Sequence, residues 1–135
     1  MIVKDIKNGK DYRWSTHINS LLIDRKDTEG TEVFLTKVEP KKSVPQHTHN
    51  DNEQLYYVIE GEGLINYRSP SESVGKKVKI KAGQIVFIPL KTEHQIICVG
   101  EKPLIYLTID VFPKGKPPGE PTWDAHAKNL AINDA

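Results

Sequence analysis

The apolar residues of this chain come in short runs, each cut by a turn-forming residue before a helix could establish its period. Runs at 19–24, 32–38, 55–60, 64–68, 76–81, 85–88, 94–99 and 104–111 are separated by Gly, Pro, Asn and Asp, at intervals of about ten residues. Segments of this length, rich in Val, Ile, Tyr and Phe, fit a pleated, half-buried surface. The run Lys76-Lys77-Val78-Lys79-Ile80-Lys81 alternates with a period of two, which would turn Val78 and Ile80 inward and the lysines outward. Ile85-Val86-Phe87-Ile88 is continuously apolar and reads as a strand covered on both faces. Residues 122–130 carry the one helical pattern, with Thr122 as N-cap. The pattern predicts an all-β sandwich or barrel with a short C-terminal helix at most.

Composition narrows the class further. At 135 residues the chain has the size of one domain, and it can bury a core without disulfide staples. Nineteen basic residues against 18 acidic leave a net charge of +1, so no broad electrostatic footprint for nucleic acid or an anionic membrane exists. No apolar run approaches the roughly 20 residues of a membrane-spanning helix. The N-terminus lacks the apolar core of a signal peptide, and the lone Cys98 fits a reducing compartment, so the expected location is cytoplasmic.

The chemistry is concentrated in the histidines. His47 and His49 are separated by one residue, and on extended chain such residues point to the same side, where both rings can reach one ion at about 2.0–2.2 Å. His94 follows the apolar run 85–88 and Pro89. His17 and His126 lie outside this grouping and read as structural.

The spacing around these residues resembles the two motifs of the cupin superfamily. The first is His47-Thr48-His49-Asn50-Asp51-Asn52-Glu53-Gln54, six residues, then Gly61; the second is Gly83, five residues, Pro89, then His94 at the fifth position after it. The resemblance covers residues 32–111, with 112–135 as a C-terminal extension of the single domain. It implies a double-stranded β-helix, or jelly-roll barrel, with a metal inside its mouth. Three departures stand out. The position of the usual motif carboxylate falls on Gln54, Lys91 replaces a glycine of the second motif, and Cys98 stands where Asn is frequent.

The implied ligand set is His47, His49, His94 and Gln54. Glu53 is the alternative to Gln54, because consecutive strand residues face opposite sides and only one of the two enters the barrel. If Glu53 faces inward, the more apolar set Leu55, Tyr57 and Ile59 goes with it; if Gln54 does, Tyr56, Val58 and Glu60 follow. Tyr56 is the candidate for a supporting role beside Gln54. Mixed nitrogen and oxygen ligation suits Mn, Fe, Co, Ni or Zn. With an amide in place of a carboxylate, the ion would keep its full +2 charge and act as a stronger Lewis acid.

These expectations describe a metal-dependent enzyme acting on a small oxygenated metabolite, such as a sugar acid, hydroxy-carbonyl or carboxylate, by isomerase or lyase chemistry. A dioxygenase and a non-catalytic ligand-binding module are the alternatives. A homodimer is expected, because the strand at 19–24 and the set Leu55, Tyr57 and Ile59 would leave apolar surface wet on a monomer.

Overall fold

A computed structural model describes residues 1–134, with side chains through Leu130. Ten strands form two antiparallel sheets. They are β1 (Lys10–Arg13), β2 (Ile18–Ile23), β3 (Thr31–Val38), β4 (Ser43–His47), β5 (Glu53–Glu60), β6 (Glu62–Arg68), β7 (Lys76–Lys81), β8 (Ile85–Ile88), β9 (Glu93–Cys98) and β10 (Leu104–Val111). Helix α1 (Trp123–Asp134) follows. The six-stranded sheet runs β1-β2-β3-β10-β5-β8 and the four-stranded sheet β4-β9-β6-β7, giving the jelly-roll barrel.

Alternation places the core. On β3, β10 and β5 the inward residues are buried and the intervening ones are not. Val38, Val58, Ile65, Ile96, Leu104 and Tyr106 close the bottom of the barrel between the two sheets. Toward the other end the same inward rows turn polar. Strand register sets Glu32 opposite Asp110, and Asp110 opposite Gln54, so three adjacent strands present an acid, an acid and an amide side by side.

Glycines of the two motifs have a backbone reason. Gly61 and Gly83 have φ of +85° and +90°, in the left-handed region, and a Cβ on Gly61 would lie 2.4 Å from the Pro103 carbonyl oxygen. Lys91 also has a positive φ, +62°, which explains why glycine suits that position. The Lys91 amide donates to the His49 carbonyl at 2.8 Å, tying the second motif's turn to the first motif.

The C-terminal extension docks on the barrel. Thr122 Oγ1 accepts from the Ala125 amide at 3.1 Å, as its N-cap reading requires, and Asp24 Oδ1 accepts from the Trp123 amide at 3.0 Å. The Trp123 ring rests 4.5 Å from Phe34, forming with Ala127, Tyr12, Trp14 and Leu21 a second apolar cluster over the barrel end. Behind it, the buried Arg25 grips Glu32 with two hydrogen bonds of 2.6 and 2.9 Å and donates to the Glu120 carbonyl at 3.2 Å.

Two strand expectations need correction. β8 is an edge strand, so its continuous apolar run is not covered on both faces: Ile85 is 70% and Phe87 54% exposed. Val78 on the opposite edge strand β7 is also exposed, although Ile80 is buried. Strands β1 and β4 fall in segments whose polar residues hide a β pattern, and α1 runs past residue 130. Among the described residues, no helix is long and apolar enough to cross a membrane.

Candidate metal centre

His47 ends β4 and sits directly opposite His94, the second residue of β9, after an irregularity that shifts register beyond Val44. His49 lies two residues on, in extended chain. The result is a cluster in which one ligand atom from each ring lies within 4.8 Å of the others. Ring centroids are 4.2 Å apart for His47 and His94, 4.7 Å for His47 and His49, and 5.3 Å for His49 and His94.

The backbone orients two of these rings. His47 Nδ1 lies 2.7 Å from the Pro45 carbonyl oxygen and His94 Nδ1 lies 2.8 Å from that of Thr92. A carbonyl only accepts, so Nδ1 carries the proton in each case and Nε2 keeps its lone pair, the form that ligates metal. His49 Nε2 is buried and has no hydrogen-bond partner. A buried imidazole nitrogen without a partner is costly, and a cation between the three rings would supply the missing one. Burial, followed by the neighbouring His47, holds His49 well below the ordinary histidine range, and the same two causes push His94 down to about 3. His49 and His94 are therefore neutral, the form a metal ligand takes.

A pH dependence follows. The unfolded chain protonates a histidine near 6.5, whereas folded His94 stays neutral to about 3. Below 6.5 the unfolded state gains a proton that the folded state refuses, so stability is lost as the pH falls. From His94 alone, metal-free protein should be about 2 kcal/mol less stable at pH 5 than at pH 7. Urea titrations in chelator at the two pH values measure this, and His94→Gln should shrink the difference.

Gln54 faces into the barrel and is almost fully buried, while Glu53 lies on the outward register. Its Oε1 accepts from the Tyr56 hydroxyl at 2.8 Å and lies 3.2 Å from His94 Nε2. Its side chain also hydrogen-bonds Asp110. Since Oε1 accepts from the tyrosine, the amide nitrogen is the group that donates to Asp110. Burial drives the Tyr56 hydroxyl well above its usual range, so it is a donor rather than a base.

Asp110, Glu32 and Arg25 were not anticipated. Asp110 Oδ1 accepts from Asn52 Nδ2 at 3.0 Å. Burial first, then the hydrogen bond to Glu32 and its charge, push the Asp110 carboxyl well above the carboxylate range, so it holds its proton beside the Arg25-paired Glu32. A signal existed in the sequence: the period-two inward sets of β3 and β10, extended one step, end in Glu32 and Asp110. Cys98 is buried in the core with its thiol 3.2 Å from the Lys102 carbonyl, remote from the histidines along β9. His17 and His126 do not join the cluster, but both line a cavity of about 240 Å³ that has His47, His49 and Gln54 on its wall.

Comparison with known proteins places this geometry in context. A family model described as a cupin domain matches residues 34–110. An oxalate-binding protein of Thermotoga maritima is 33% identical over 76 residues, 56% of this chain and 58% of that protein. A glucose-6-phosphate isomerase of Thermococcus litoralis is 29% identical over 80 residues, 59% of this chain and 38% of the enzyme. An uncharacterised protein of Methanocaldococcus jannaschii is 36% identical over 58 residues, 43% of this chain and 42% of that protein. The matches thus span about four- to six-tenths of the relatives' lengths. Among solved structures, one described as a predicted oxalate decarboxylase from Thermotoga maritima superposes with a TM-score of 0.72 at 23% identity, covering 82% of this chain and 99% of that one. The Bacillus subtilis oxalate decarboxylase with Mn(II) centres gives 0.68 at 19%, covering 80% and 31%. At these identities the structures attest the fold.

Proposed function

From the premise that the chain belongs to the cupin family, we propose that it is a divalent-metal enzyme acting on a small oxygenated metabolite by isomerase or lyase chemistry. His47, His49, His94 and Gln54 are the proposed ligands. The observation that carries the reading is the convergence of three imidazoles, one with a buried, partnerless Nε2, with the amide oxygen of Gln54 3.2 Å from His94 Nε2. When bound, the ion supplies Lewis acidity toward the substrate's oxygens. The protein's residues do the rest. Pro45 and Thr92 carbonyls fix the tautomers, and Tyr56 and Asp110 hold the Gln54 amide with its oxygen toward His94.

Elemental analysis of protein purified without chelator tests the centre, with one divalent ion per chain expected. Turnover of candidate hydroxy acids should run equally fast with and without oxygen; a strict oxygen requirement would instead identify a dioxygenase. A second reading, a ligand-binding module, is favoured by the oxalate-binding relative. Tight binding of a small acid without turnover would establish it.

We also propose a homodimer, formed on the outer face of the six-stranded sheet. Register aligns Val33, Ile109, Leu55 and Phe87 in one ladder across β3, β10, β5 and β8, and Leu35, Leu107, Tyr57 and Ile85 in the next. Such a face is too apolar to leave wet. Sedimentation should give twice the 15.3 kDa chain mass at micromolar concentration, and Phe87→Glu should return it to monomer.

A further inference from the structure

The cavity above the histidines differs in chemistry from what a phosphorylated sugar needs. Among the described residues lining it, none is Lys or Arg. The imidazoles outside the cluster that line it, His17 and His126, already have partners. His126 already faces both carboxylate oxygens of Glu120 at 3.1 Å, and His17 stacks flat on Trp14, at 5.0 Å and 16°, with Nδ1 2.8 Å from the Thr16 hydroxyl. A phosphate dianion drawn into this space would lose its water and meet no guanidinium or ammonium in return.

The polar groups on the wall are also engaged with one another. The Thr36 hydroxyl donates to Asn19 at 2.9 Å and lies 3.1 Å from the Thr108 hydroxyl, while Asp110 is held by Asn52, Glu32 and Gln54. A polyhydroxylated chain would therefore find few free partners. What the wall offers instead is aromatic surface, with Trp14, Phe34, Tyr56, Tyr106 and Trp123 all contributing. The Tyr56 and Tyr106 ring centres lie 4.6 Å apart, and the half-buried Trp14 is on the same wall.

We propose that the site receives a chelating carboxylate or hydroxy-carbonyl compound whose body is planar and apolar and which carries no phosphate. One end meets the metal at the histidines, and the ring packs between the aromatic walls. The inference rests on the metal reading above, so the experiment separates the two. Full-length protein is first loaded with Zn(II) and its metal content measured; failure to hold the ion overturns the metal reading and this inference with it. The loaded protein is then titrated calorimetrically with salicylate, glycolate and glucose 6-phosphate. Salicylate and glycolate both offer a hydroxyl and a carboxylate, and only salicylate has the ring. Salicylate should bind at least about tenfold more tightly than either of the others. Trp14→Ala should lose about tenfold toward salicylate while keeping its metal and its glycolate affinity. A glucose 6-phosphate affinity equal to or above that of salicylate, on protein that holds Zn(II), overturns the ligand class and leaves the metal centre standing. Equal binding of salicylate and glycolate does the same, and it needs no variant to fold.

Discussion

Replacing His94 with alanine should lower divalent-metal affinity by at least about a hundredfold, beyond the range seen for loss of a residue that merely supports a ligand. The ring is buried, neutral, aimed by the Thr92 carbonyl and directly opposite His47 across the β4–β9 ladder. Removing it deletes one of the proposed ligands and leaves a void in its place. His47→Ala should act in the same direction. The informative comparison lies one strand away. Glu53→Gln should leave metal content unchanged, because Glu53 is on the outward register of β5. Gln54→Glu should tighten the ion, because it adds a negative charge beside it. It should also destabilise the metal-free protein, because a third carboxyl then joins Asp110 and Glu32 in one buried row with Arg25 as the partnering cation. Isothermal titration with Zn(II) or Co(II), paired with melting in chelator, reads both effects. Were Glu53→Gln to empty the site while Gln54→Ala left it full, the ligand assignment would be wrong by one residue.

Arg25→Met should cost about 3–5 kcal/mol of folding stability, the range for breaking a buried ion pair from one side. Arg25 is 2% exposed and Glu32 0%, and two hydrogen bonds join them. Without the guanidinium, Glu32 is left as a desolvated charge next to Asp110. The same substitution removes the bond to the Glu120 carbonyl and the packing of the guanidinium over Phe112, 5.0 Å from its ring centre, so the extension leading into α1 loses an anchor. Denaturant titration reports the stability, and limited proteolysis after residue 112 reports the loosened extension. Arg25→Met combined with Glu32→Leu should recover part of the loss, since no buried charge is then stranded. A single-variant cost below about 1 kcal/mol would show that the pair is not the anchor its burial indicates.

Legibility differed between element types. The runs at 76–81, 85–88 and 104–111 coincide with β7, β8 and β10, because uninterrupted or alternating apolar residues between turns leave a strand as the one way to bury them. β4 was not legible: Ser43-Val44-Pro45-Gln46-His47 has one buried apolar residue, and it is a strand because β9 supplies its hydrogen bonds. The exposure of Ile85 and Phe87 was also hidden, because an apolar run does not say whether its second face meets the same chain or another.

For the site, local sequence determined which residue types were available and that His47 and His49 share a side, since an i, i+2 relation is a property of extended chain alone. It left Gln54 and Glu53 open, because their faces depend on which side of β5 meets the barrel interior, and the apolar count along β5 favours the wrong one. The strand's outer face is the more apolar of the two. Tertiary structure placed Gln54 inside through the pairing of β5 with β10. It alone joined Arg25, Glu32, Asp110 and Gln54, residues up to 85 positions apart in number, into one buried hydrogen-bonded row. The physical reason is that register across three strands is a long-range quantity: it is set by the summed packing of every inward residue, and no window of sequence contains that sum.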